Sequence, residues 1–447
     1  MSESQFVTQR RLRRIAASGM VGGLPAPAFL YIPGVTPMAS LGMTATRADS
    51  TTCARYRDQA GIWQLATANV PRELNYVYGD GRPSLLREAA STNSALGACS
   101  FADGTYWAGN ASFTLAAATS CIAGQSATKH TDAAGGAVRT QNVGVFVNGQ
   151  TDCEQYILED TGDGNASSDI TIYDATVGAA LYTARVTWAT KTIATTAGTG
   201  ACGIINDGNG RYRCYVTAAG VAAGAVAGGA GNTRQLRIAP VITAGKSCIV
   251  HYGGLEAASS YPSSPIVTVA GAVTRAADLI SAPWTRNPEA GPWYFDAYDL
   301  NTGTGTKDAL FIGAAAPLAN PYFRMNRVSA TGLWNAISVN SGAVGSQSIA
   351  AAATSFGQRV EGRGVFAVSG GNFTVAFGQA LSGGAEVVAA TGNARAIDAA
   401  WGGSPPKLYI GSMSDASDGA NLAIRALCYV PWPEQSMQNF RIITGLV

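Results

Sequence analysis

Catalysis in this 447-residue chain would have to start from two histidines, eight cysteines and a few clustered carboxylates. A hydrolase needs a nucleophile, a base and an orienting group within reach of one another. His130 sits in the polar, turn-like segment ATKHTDAAGG and His251 in an expected strand. Neither belongs to a His-Glu-x-x-His motif or to a histidine cluster. The cysteines (53, 99, 121, 153, 202, 214, 248 and 428) form no C-x-x-C pair, and the closest two, Cys202 and Cys214, are 12 positions apart. With two histidines to join them, a structural zinc site is not expected. Disulfides in the first half and buried free thiols both remain open.

The segment CEQYILEDTGDG supplies Glu154, Glu159, Asp160 and Asp163. Two carboxylates hydrolyse a glycoside only when they face one groove at about 5 to 9.5 Å separation. On a strand and turn they read instead as a solvated turn or, alternatively, as a weak calcium-type oxygen cage, since calcium takes six to eight oxygens. Asp415 and Asp418 in MSDASDGAN carry the same two readings. Lys307 in TGTGTKDAL lacks the GxxxxGKS/T spacing and a following helix, so no phosphate loop is expected. Trp401, in the expected loop DAAWGGSPP, is the candidate platform for a sugar ring, whereas Trp284 and Trp432 suit a core or an interdomain seam. The expectation is a non-enzymatic chain without a cofactor, calcium being the one weak alternative.

These residues must be positioned by strands. Charged residues make up 13% of the chain, against about 25% in ordinary domains, while 47% is hydrophobic and 54 residues are glycine. Disorder by high charge is excluded, and the glycines follow no collagen period. Short runs of Val, Thr, Ala and aromatics between turn residues predict an all-β fold. A net charge of +2 gives no field for nucleic acid, and no apolar run reaches 18 residues, so no membrane insertion is expected.

The length implies more than one core. Residues 1–45 read as an N-terminal arm for particle docking or oligomerisation, with Arg10, Arg11, Arg13 and Arg14 as its docking charges. Its apolar PAFLYIPG must be covered by another chain or by a later domain. Removal of Met1 to Thr36 is expected to leave the rest folded. Residues 46–92 read as a small β leader with a hairpin across ARYRD and IWQLA. Residues 93–280 read as a first antiparallel β-sandwich and 281–447 as a second, of jelly-roll or laminin-G type. In NDGNGRYRCYVT, Asp207-Gly208 and Asn209-Gly210 predict a turn, with Tyr212 and Cys214 facing the core. PEQSMQNFRIITG predicts a short closing helix. Arg275, Asp278 and Trp284 are expected at the domain junction.

The stretch GGLEAASSYPSSPIVTVAGAVTRAADLIS, with the leader TRADSTTCARYRDQAGIWQLATANVPRELN, the turn DGNGRYRCYVT and the close YVPWPEQSM, resembles tailed-phage fibre, spike and minor virion proteins. In these a carbohydrate-module-like β-sandwich is followed by a concanavalin/laminin-G-like domain. The four motifs fall in the expected order across most of residues 46–447; the basic arm has no counterpart. The resemblance implies a virion location and a structural role, as head spike, capsid decoration or tail fibre. It also implies other virion proteins as partners and a homo-oligomer, trimeric in a fibre or pentameric at a vertex. The alternative is a glycan-binding module for host surface polysaccharide; a surface glycosidase is the remoter reading.

Overall fold

A computed structural model describes residues 20–21, 24–25, 27–47, 53–77, 79–284, 291–300, 307–313, 322–328, 331–340, 343–355, 357–369, 372–389, 395–396, 407–411, 421–430 and 437–444. The chain is all-β and builds two antiparallel sandwiches.

In the first sandwich, one sheet runs in the order Phe113–Thr119, Ser126–Asp132, Lys246–Glu256, Thr151–Asp160, Arg211–Ala219, Ala201–Gly208. The facing sheet runs Arg139–Val145, Thr233–Ala239, Ser167–Asp174, Ala179–Thr187, Thr192–Gly198. Period-two alternation puts Ile170, Ile172, Leu236 and Ile238 into the core with Tyr156, Leu158, Val216 and Val250. Cys214 is fully buried there and Tyr212 packs against the same cluster, as the turn pattern implied. Asn209 and Gly210 take the positive φ values of 53° and 78° that this tight turn requires.

The second sandwich pairs a sheet in the order Ala343–Ala353, Leu333–Asn340, Tyr322–Arg327, Lys307–Gly313, Lys407–Ile410, Leu279–Pro283, Thr44–Thr46 with another in the order Val387–Val388, Asn372–Leu381, Gln358–Ser369, Trp293–Asp299, Leu422–Tyr429, Pro83–Arg87, Arg72–Tyr76. Lys307 therefore lies in a sheet strand. The Ala-rich SIAAAA run is strand, and Met437–Thr444 is the short closing helix.

Both ends of the chain contribute to this second sandwich. Phe29–Tyr31 pairs with Leu422–Tyr429 (Phe29 opposite Tyr429), Thr44–Thr46 with Leu279–Pro283, and Pro83–Arg87 with Leu422–Ile424. The strands of residues 29–46 and 72–87 thus complete sheets whose other strands follow residue 278. The first sandwich is an insertion between Arg87 and Leu279. Its entering strand Ser91–Asn93 and leaving strand Val273–Arg275 pair with each other at the neck and join the first sandwich's sheet, with Asn93 opposite Glu256.

Phe29 and Tyr31 are buried with Trp284, Trp293 and Tyr429 in the second core, and Ile32 packs with Met437, Phe440 and Ile443. The expectation that the sandwiches stay folded when Met1 to Thr36 is removed is therefore corrected. Each buried aromatic is worth about 1.5–3 kcal/mol, and the deletion takes a strand with them. Arg10, Arg11, Arg13 and Arg14 lie outside the described residues.

Candidate functional site at the neck

Where the chain passes from one sandwich to the other, several charged side chains are buried together. Arg72 is fully buried; its guanidinium donates to Glu88 Oε2 at 2.5 Å, to Arg55 O at 2.9 Å and to Asp278 Oδ2. Arg275, also buried, donates to Ser263 Oγ and Ser264 Oγ at 3.0 Å and to Ala89 O at 3.0 Å, and lies 3.3 Å from Glu88. Asp278 accepts further from Arg47 at 3.1 Å and from the Glu88 backbone N–H at 3.0 Å. Its own carbonyl accepts from Arg87 Nε at 3.1 Å. Arg275 and Asp278 are thus both at the junction, each tied to groups from the leader rather than to the other.

Burial opposes ionisation of Glu88, but Arg275 and Arg72, with hydrogen bonds from Ser264 and Arg72, hold its carboxyl down to about 2. Burial likewise opposes the Arg72 charge, and Asp278 and Glu88 outweigh it, holding the guanidinium above its ordinary value. Arg72 and Arg87 come from the last two strands before the insertion and Glu88 directly follows the second, while Arg275 and Asp278 flank its exit.

A cavity of about 300 Å³ adjoins this network. One wall comes from the hairpin Arg55–Arg57/Trp63–Leu65, which straps the first sandwich through Trp63 N to Cys121 O at 2.8 Å. Arg57 donates to Tyr76 O at 2.7 Å and pairs with Asp207 at 3.3 Å. Arg213 donates to Ser263 O at 2.6 Å and lies 5.1 Å above the Trp63 ring. Tyr261 and Ser264 of the linker, and Tyr298 and Asn421 of the second sandwich, close the other side. Asn206 and Gly357, also in the lining, are exposed and mark its open side.

The residues first singled out for chemistry have other positions. His251 Nδ1 accepts from the Cys121 backbone N–H at 3.2 Å, so the neutral ring carries its proton on Nε2, 3.1 Å from Glu159. Burial, with Arg139 nearby, pulls His130 down to about 3; its ring lies edge-on between Phe101 and Phe113. Glu154 is buried and accepts from Tyr156 Oη at 2.6 Å, and burial raises its pKa far above the usual carboxylate range. Glu159 pairs with Arg211 and Asp160 with Lys191, while Asp163 accepts from the Asn165 backbone N–H in the turn. Among the described residues no cluster of three or more metal-ligating side chains occurs. Seven of the eight cysteines are buried, and Cys202 is half-buried.

Trp284, expected in a core or at the junction, sits in the second core, where its ring is 4.8 Å from Trp293 and 5.1 Å from Tyr429. Its position at the end of Leu279–Pro283 places it inside that sheet's packing rather than at the neck. Trp401, Trp432, Asp415 and Asp418 lie outside the described residues. Sequence reasoning missed Arg47, Arg72, Arg87 and Glu88, and also Trp63, Asp207 and Arg213. A usable signal was present: Arg72 in PREL and the Arg87-Glu88 pair in SLLRE are charges on or beside strands in a chain that carries few.

No protein-family model matches the chain, and no curated protein matches it. Among solved structures it is similar to the tail fiber protein gp63.1 from an E. coli phage, at 10% identity and a TM-score of 0.20. The match covers 92% of this chain and 42% of that one, so the chain spans less than half of that fibre protein's length. At that score the likeness carries no argument about fold or role. The fold rests on the sheets themselves: an all-β chain in which one antiparallel sandwich is inserted into another.

Proposed function

We propose that this chain is a non-enzymatic structural component of a tailed-phage particle, exposed on the virion as a spike, decoration or fibre subunit. The observation that carries the reading is the neck. An inserted sandwich is joined to its host sandwich by two paired strands, and Arg72, Glu88, Arg275 and Asp278 clamp that joint in a buried ion network. A buried network that fails when any one member is lost favours a single relative placement of the two units. Such a joint suits a projecting part that must hold its attitude under load. The ordered sequence motifs between Thr46 and Met437 support the same role.

In this reading the chain works without a cofactor and assembles as a homo-oligomer, a trimer in a fibre or a pentamer at a vertex. Arg10, Arg11, Arg13 and Arg14 dock it onto an acidic surface of another virion protein. Quantitative mass spectrometry of gradient-purified particles tests the proposal. A fixed copy number that is a multiple of three or five supports it, and absence from the particles overturns it. The second reading, a glycan-binding module, is favoured by the cavity beside the neck, whose lining combines tyrosines, amides and paired charges.

A further inference from the structure

We propose that the cavity beside the neck binds one neutral sugar unit, such as the exposed end of a surface polysaccharide. The inference rests on the glycan-binding reading, and not on the chain's place in a particle.

Three features of the lining select this ligand. The first is charge. Arg57 and Arg213 face Asp207, at 3.3 and 3.7 Å, and Glu88 is held by Arg72 and Arg275. The lining's two arginines, Arg57 and Arg213, are matched by two carboxylates, Asp207 and Glu88, so it has no net formal charge to select a phosphate or an ammonium group.

The second is apolar surface. Tyr76, Tyr261 and Tyr298 belong to the lining, and all three are partly exposed. Tyrosine rings offer flat faces for the C–H surface of a pyranose, and their hydroxyls supply polar tips.

The third is hydrogen-bonding capacity. The Trp63 indole N–H, in the lining, is buried with no hydrogen-bond partner, while Arg213 Nε and Asp207 Oδ2 face each other at 3.7 Å. Buried polar groups in native proteins are nearly always satisfied, so the indole N–H calls for an acceptor. A purely apolar or aromatic ligand would leave it unmet, whereas a polyol hydroxyl accepts from it. About 300 Å³ is the small end of the range for ligand sites, which suits a terminal unit rather than a polymer laid along a groove. The cavity also takes wall from both sandwiches, so the fixed neck presets its shape.

The test uses the full chain, with glucose, galactose, mannose and N-acetylglucosamine as probes, followed by ligand-observed NMR and calorimetry. At least one sugar should bind, and Tyr298→Ala should weaken it about tenfold, because a stacking face is lost. Tyr298→Phe, which keeps the ring, should bind within about twofold of the parent. Thermal melting of both variants reports whether they are folded. If no neutral sugar binds the parent chain, the inference and the glycan-binding reading both fall. If a sugar binds and Tyr298→Ala leaves its affinity unchanged, the site is elsewhere; the inference then fails while the reading stands.

Discussion

Replacing Asp278 with Ala should damage this protein far more than the loss of an ordinary ion pair. Asp278 is 5% exposed and accepts from Arg72, Arg47 and the Glu88 backbone N–H. Its removal leaves a fully buried Arg72 and a 3%-exposed Arg47 short of counter-charge. Breaking a buried pair by deleting one partner costs about 3–5 kcal/mol, most of it the penalty of the charge left behind. Unfolding entropy of about 2.1 cal/mol/K per residue gives about 0.9 kcal/mol/K for the whole chain if it melts as one unit. The midpoint should therefore fall by about 3–5 °C. Scanning calorimetry is the assay, since a loosened neck should also split one transition into two as the sandwiches melt apart. Asp169→Ala is the control. It removes an exposed pair with Arg185, whose side chain is 45% exposed, and should change stability by less than about 1 kcal/mol. A shift below about 1 °C for Asp278→Ala, with the transition still single, would refute the idea that the network fixes the neck.

Glu88 predicts a pH dependence. Its folded pKa of about 2 lies below the ordinary value of 4.5, so its contribution is complete above about 4.5 and is lost as pH falls toward 2. The difference in melting temperature between the parent and Glu88→Gln should be constant from pH 7 to 5 and shrink between about 4.5 and 2; a difference independent of pH contradicts this. Thiol labelling at pH 8 should modify Cys202 alone, because the other seven cysteines are buried and burial pushes Cys99 and Cys248 up to about 12. Fast labelling of several thiols in the native state would be the contrary result. Deleting residues 1–19 should abolish particle incorporation, and the chain lacking residues 1–36 should melt lower than that truncation because the longer deletion strips Phe29 and Tyr31 from the core; equal melting of the two truncations would contradict the placement of that strand.

Much of this fold was legible locally. The hairpin Arg55–Arg57/Trp63–Leu65, the turn at residues 208–210 and the closing helix follow from alternation and turn chemistry within a dozen residues. The insertion was not legible, because strand pairing across hundreds of residues leaves no periodic mark. Pro83–Arg87 reads as an extended punctuated stretch whether it stands alone or pairs with Leu422–Ile424. The apolar PAFLYIPG did announce a need for cover, and the second sandwich supplies it. The neck charges escaped for the same topological reason: Arg72 and Asp278 are 206 positions apart and meet only once the insertion has folded out. The sequence suits Trp284 to a core or a seam but does not say which core receives it.

The most direct test of the proposed role is immunogold labelling of intact, purified phage particles with antibody to the inserted sandwich, residues 91–275. Gold at a fixed position on head or tail, on most particles, is the result expected of an exposed structural subunit. Unlabelled particles, with the antigen recovered only as free protein, would contradict it.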